Sequence, residues 1–241
     1  MPDVLGDFVE AVVSETGAYP VIAFGSGLHG SGRSYLARMV CEKFRNAGVP
    51  VDKVSVGEIF RRLAEEHGIT IGEFAGLQAE DPEKFYALNV SVDKKIHELL
   101  QEKSQNSAVV VDSNLAAYHA CTPNTYAILV YARPEIVGER VYRARRKAEN
   151  SFKSPADALK HMILRTQNDI RLYRELSSIA RDNFWKMVYR IAAKDMGKNL
   201  ETILGGKIPK SPFFHGTVDN SGPPEKSWED VERLIKAQLE R

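Results

Sequence analysis

Gly27 to Ser34 reads GLHGSGRS and lies between the apolar run Val21–Phe24 and a helix-like stretch, Tyr35–Phe44. Glycines let the backbone curl so that successive N–H groups point into one concavity, and the start of a helix adds partial positive charge. The chemistry is the holding of phosphate, and strand, glycine-rich loop and helix follow in the order it requires. The bland reading is a glycine-rich turn that binds nothing. The position such a loop usually gives to Lys is Arg33, which can also reach a terminal phosphate but is planar and forked. Ser34 stands where the loop places the hydroxyl that ligates magnesium; a plain helix N-terminal residue would look the same.

Other charged residues suit the same chemistry. Asp112 ends the run Ala108–Val111 on the edge where parallel sheets bind ligands, and could hold a magnesium-bound water near Ser34. Taken alone it is equally a turn residue. Arg61 and Arg62 follow the second apolar run by one helical turn and could grip a phosphate on an acceptor; a surface pair is the alternative. Arg140, Arg143, Arg146, Arg165 and Arg171 lie on two helical stretches flanking residues 150–155. Phosphoryl transfer needs positive charge around the migrating group, often carried by a closing segment that also excludes water. Without the loop at 27–34 these would be solvent charges.

The elements that must position these residues alternate helix and strand, which predicts a parallel sheet wrapped by helices. Strands are expected at Val21–Phe24, Val51–Val56, Ala108–Val111, Tyr126–Ala132 and Gly216–Asp219. Helices are expected over 3–15, 34–47, 57–67, 70–78, 82–103, 134–149 and 154–179, with Asn183–Met196 a further possibility and Ser227–Leu239 the last, N-capped by Ser227. Residues 205–212 read as loop.

A chain of 241 residues with 43% apolar content can build a full core, and one domain with insertions is expected. A net charge of +1 gives no push toward nucleic acid or membrane, and neither is expected as a partner. Cys41 and Cys121 lack metal-ligand spacing, so reduced thiols and a cytoplasmic setting are expected. The scattered histidines carry no zinc signature, and no run reaches membrane-spanning length.

From about Val21 to Tyr173 the chain resembles the nucleoside monophosphate kinases, a family of P-loop kinases, and within them the archaeal-type cytidylate kinases. GLHGSGRS stands in the place of the family's phosphate loop, VSVGEIFRRLAEEHGITIGEFAGLQAEDPEKF (Val54–Phe85) resembles its acceptor-binding segment, and VVVDSNLAAY (Val109–Tyr118) its third core strand and substrate loop. Three places depart: Arg33 for the family's Lys, Ser113-Asn114 for its Gly-Arg, and Thr166-Gln167 for its usual acidic residues.

The resemblance implies a three-layer α/β/α sandwich with a five-stranded parallel sheet, and transfer of the ATP γ-phosphoryl group to a nucleoside monophosphate with Mg2+. Its implied ATP contacts run through Gly27, Leu28, His29, Gly30, Ser31, Gly32, Arg33, Ser34 and Tyr35, with Asn220 near adenine. Arg33, Arg143 and Arg165 would act on the transferring group. Arg61, Asp112 and Asn114 would meet the acceptor, and Ser34 with Asp112 the metal. Residues 57–100 would form the acceptor-binding insertion and 143–172 the lid, with 181–212 unassigned, all within one domain as a monomer or homodimer. The alternatives are a small-molecule kinase on this scaffold and a nucleotide-binding module without turnover. Arg33→Ala is expected to abolish transfer with little loss of fold.

Overall fold

The structure is a computed structural model that describes residues 4–26, 28–70, 73, 77, 80–114, 116, 122–145, 152–176 and 214–240. In chain order the elements are α1 (Val4–Thr16), β1 (Val21–Ser26), α2 (Arg33–Asn46), β2 (Val51–Ser55), α3 (Val56–Glu66), α4 (Pro82–Lys103), β3 (Ala108–Asp112), β4 (Thr125–Tyr131), α5 (Pro134–Arg145), α6 (Pro155–Leu176), β5 (Gly216–Asp219) and α7 (Pro224–Leu239). The five strands form one parallel sheet in the order β2-β3-β1-β4-β5.

Side-chain alternation along the strands divides the core into two layers. Val21, Ala23, Val109, Val111, Ala127 and Leu129 face α3 and α4, where Ile59, Leu63, Val92, Ile96 and Leu100 are buried. Ile22, Phe24, Val110, Ile128, Val130 and Val218 face α1, α2 and α7. Strands β1 and β3 are buried on both faces, as their unbroken apolar runs require, whereas β2 is a half-exposed edge. Helices α5 and α6 pack on each other through Val137, Val141, Leu159 and Met162. A Cβ on Gly138 would meet the Pro155 carbonyl at 2.6 Å, so this glycine permits their close approach.

Local signals explain the helix boundaries. Pro82 occupies the first turn of α4, and the Asp81 carboxylate accepts from the Lys84 amide at 3.0 Å. Lys43 and Arg45 sit in the last turn of α2, where cations complement the helix dipole.

The last helix corrects an expectation. Its cap is Pro223 and it begins at Pro224, whose fixed φ and missing N–H suit the first helical position. Ser227 is therefore not the N-cap but a fully buried residue of the first turn, donating to Asn220 Oδ1 at 2.8 Å. β1 also runs two residues further than expected, to Ser26, and α3 follows β2 directly. Most of the expected helix 70–78, and all of Asn183–Met196 and the segment 181–212, lie outside the described residues. No described helix is long and apolar enough to cross a membrane.

Candidate active site

Strand β1 lies between β3 and β4, while the chain leaves it through α2 for the far edge, β2. Such a reversal opens a crevice beyond the carboxyl ends of the strands. Ser26, Asp112 and Tyr131 end β1, β3 and β4 there.

The loop after β1 turns through left-handed backbone at Gly30 and Gly32 (φ +87° and +85°). Gly32 is also the N-cap of α2, and it brings no side chain to cover the helix's first amides. Those amides are available to an anion. Ser31 is 1% exposed, and its Oγ is buried with no hydrogen-bond partner among the described residues. It lines a cavity of about 300 Å³ with Ser26, His29, Gly30, Gly32, Arg33, Ser34, Asn114, Arg140, Val141 and Ala144. A buried hydroxyl lacking a partner, beside uncapped helix amides and two arginines, fits the oxygens of a polyphosphate.

The loop is held from below by Asn220. Its Nδ2 donates to the Ser31 carbonyl at 2.8 Å, its Oδ1 accepts from Ser227, and its own amide donates to the Tyr131 carbonyl at 2.7 Å. Arg140 reaches over from α5 and donates from Nη1 to the Asn220 carbonyl at 2.7 Å and to the Ser31 carbonyl at 3.5 Å. Burial lowers the Arg140 pKa from its ordinary value, and the Asp219 carboxylate opposes the shift.

Arg33 turns inward. Its Nε donates to Asp112 Oδ1 at 2.5 Å, and its Nη1 donates to Ser26 Oγ at 3.1 Å and to Asn114 Oδ1. The Asn114 amide nitrogen faces the His29 ring, 2.8 Å from Nε2. The His29 amide donates to Thr166 Oγ1 at 3.4 Å, which ties the loop to α6.

The remaining expected residues lie apart from this cluster or at its rim. Ser34 lines the cavity and is exposed. Tyr35 is 45% exposed, with the Arg38 guanidinium 5.9 Å from its ring centroid. Arg61 is exposed on α3 and folds back toward Gly57. Arg143 points into solvent, pairing with Glu139 at 3.2 Å, and Arg165 is exposed beside the buried Thr166. Leu28 is half-buried, and Gly27 and Arg146 lie outside the described residues. Among the basic residues of α5, the structure brings Arg140 rather than Arg143 to the loop. A signal existed: Arg140 lies three residues from the buried Val137, on the apolar side of the helix. Thr166, four residues from the buried Met162, carried the same mark, and Ser26 carried none.

Oxygen donors are present for a hard cation in the Ser34 hydroxyl and the Asp112 carboxylate, whose Oδ1 is taken by Arg33. No group of three or more His, Cys, Asp or Glu able to hold a metal occurs among the described residues.

No family model matches the chain. A cytidylate kinase of Pyrobaculum neutrophilum is 32% identical over 159 residues, 66% of this chain and 76% of that protein. A cytidylate kinase of Halobacterium salinarum is 30% identical over 159 residues, 66% of this chain and 73% of that protein. One from Methanococcus aeolicus is 28% identical over 188 residues and 93% of its length. Among solved structures, an uncharacterized protein from Eubacterium ventriosum matches 90% of this chain and 99% of its own with a TM-score of 0.51. At 13% identity that likeness is one of fold.

Proposed function

Because the chain belongs to the archaeal cytidylate kinase family of P-loop kinases, we propose that it transfers the γ-phosphoryl group of ATP to a nucleoside monophosphate, with CMP the expected acceptor. The observation that carries the reading is the buried Ser31 Oγ, without a partner among the described residues, in a left-handed glycine loop at an uncapped helix start, in a cavity that Arg33 and Arg140 also line. Such an arrangement suits an anion with many oxygens.

No covalent intermediate is needed, since the acceptor's phosphate oxygen is the nucleophile and the protein positions the reactants and neutralises charge. The loop amides, Ser31 and Arg140 would hold the donor phosphates. Ser34 and Asp112 would hold Mg2+, which when bound supplies charge neutralisation between the phosphates. Arg61 would grip the acceptor's phosphate. Arg143 and Arg165 would reach the transferring group on closure of the lid, 143–172, over the acceptor-binding insertion, 57–100. Closure would also exclude water, which otherwise competes as acceptor.

A non-nucleotide acceptor on the same scaffold is the second reading. It is favoured by Asn114, which brings no charge and whose amide oxygen and nitrogen are engaged by Arg33 and His29. The test is ADP release from ATP and Mg2+ over CMP, dCMP, UMP, AMP and a set of small hydroxyl and phosphate acceptors. Turnover fastest with CMP or dCMP is expected. Turnover confined to a non-nucleotide acceptor would replace the proposal with the second reading. Calorimetric ATP binding without transfer to any acceptor would leave a nucleotide-binding module.

A further inference from the structure

We propose that Ser26, Asp112 and Asn114 form a fixed seat for the Arg33 guanidinium, which then offers only its Nη2 edge to phosphate. Asn114 is accordingly a positioning residue for Arg33, not an acceptor contact. The phosphate half of this inference rests on the kinase reading, and the seat itself does not.

A guanidinium carries five N–H groups. Two of its three nitrogens are engaged: Nε on Asp112 Oδ1, and Nη1 on Ser26 Oγ and Asn114 Oδ1. The two N–H groups on Nη2 have no protein acceptor among the described residues, and Arg33 lines the cavity. The acceptors stand on rigid ground. Ser26 and Asp112 end two neighbouring strands, and Asn114 follows two residues after Asp112. Ser26 is 3% exposed and Asp112 4%, so the hydrogen bonds these two accept from Arg33 compete little with water.

The seat also orients its own parts. Ser26 Oγ donates to Asn114 Oδ1 at 3.0 Å while accepting from Arg33. The Asn114 amide nitrogen lies against the His29 ring, which leaves the amide oxygen for Arg33. A guanidinium reaches these acceptors from two different nitrogens, Nε and Nη1, whereas an ammonium has one nitrogen from which to donate. Asp112 thereby spends one carboxylate oxygen on an internal cation.

The test is a double-mutant cycle read by calorimetric ATP binding without acceptor. Asn114→Ala is expected to weaken ATP about tenfold, Arg33→Ala by more, and the double variant no further than Arg33→Ala alone. The acceptor KM of Asn114→Ala is expected to stay within about twofold of the parent. Additive losses, or unchanged ATP affinity with a raised acceptor KM, would overturn the proposal. Arg33→Lys takes the second corner if the alanine variant does not fold. The same cycle on nucleotide-free protein, by urea unfolding, reads the seat directly. Coupling there supports it, and its absence overturns it. Coupling in a parent protein that binds no ATP would overturn the kinase reading and the phosphate-facing role while leaving the seat.

Discussion

Arg33 and Asp112 are 17% and 4% exposed at the side chain, so both charges have given up most of their water. Removing one partner of such a pair strands the other, and that loss exceeds what the pair contributes to stability. Arg33→Ala should therefore lower unfolding free energy by about 3 kcal/mol, and adding Asp112→Asn should recover most of it. Urea unfolding of the two variants checks this; a loss below about 1 kcal/mol in the single variant would place the pair among solvated ones. The sequence alone led to an expectation of little loss of fold from this substitution; the ion pair with Asp112 leads to a larger one. Arg140 differs in kind. It donates to two carbonyls rather than a carboxylate, so it joins the loop to the turn after β5 while keeping its charge beside the cavity.

The joint between the phosphate loop and α2 depends on Gly32. Its φ of +85° disfavours any side chain, and a Cβ there would collide with Asn220 Nδ2, the group that supports Ser31. Gly32→Ala should cost about 1–3 kcal/mol in strain and also weaken ATP binding, because the displaced Asn220 no longer holds the loop. Gly48→Ala is the matched control: its φ is +76° with nothing within 4 Å of the new Cβ, so it should carry strain alone and keep ATP affinity. Thermal unfolding with calorimetry separates the two. Equal ATP affinity in both variants would remove Asn220 from the support of the loop. Helix α7 was foreseen only in part. Its amphipathic run was legible, but a local reading placed its cap at Ser227, whose hydroxyl is instead directed at Asn220 in the preceding turn.

Across the molecule, α1 is part of the core. Phe8 is 1% exposed, meets Tyr126 edge-on at 4.9 Å between centroids, and covers the same sheet face as α2 and α7. Phe8→Ala should cost about 3–5 kcal/mol of unfolding free energy and leave ATP affinity unchanged, since the ring packs away from the phosphate loop. An unfolding midpoint equal to the parent's would make α1 an appendage. The parallel α/β architecture and the phosphate loop were legible in the sequence because their determinants are local: unbroken β-branched runs, helical periodicity, and glycines between a strand and a helix. What only the tertiary structure decided is which side chains meet at the loop. Arg33 finds Asp112 across 79 residues and Asn114 across 81, and Asn220 reaches Ser31 across 189. Those meetings follow from the strand order β2-β3-β1-β4-β5, which sets the end of β1 beside the ends of β3 and β4. Strand order is settled by how whole faces pack and bury their apolar side chains, and no stretch of chain carries that information alone.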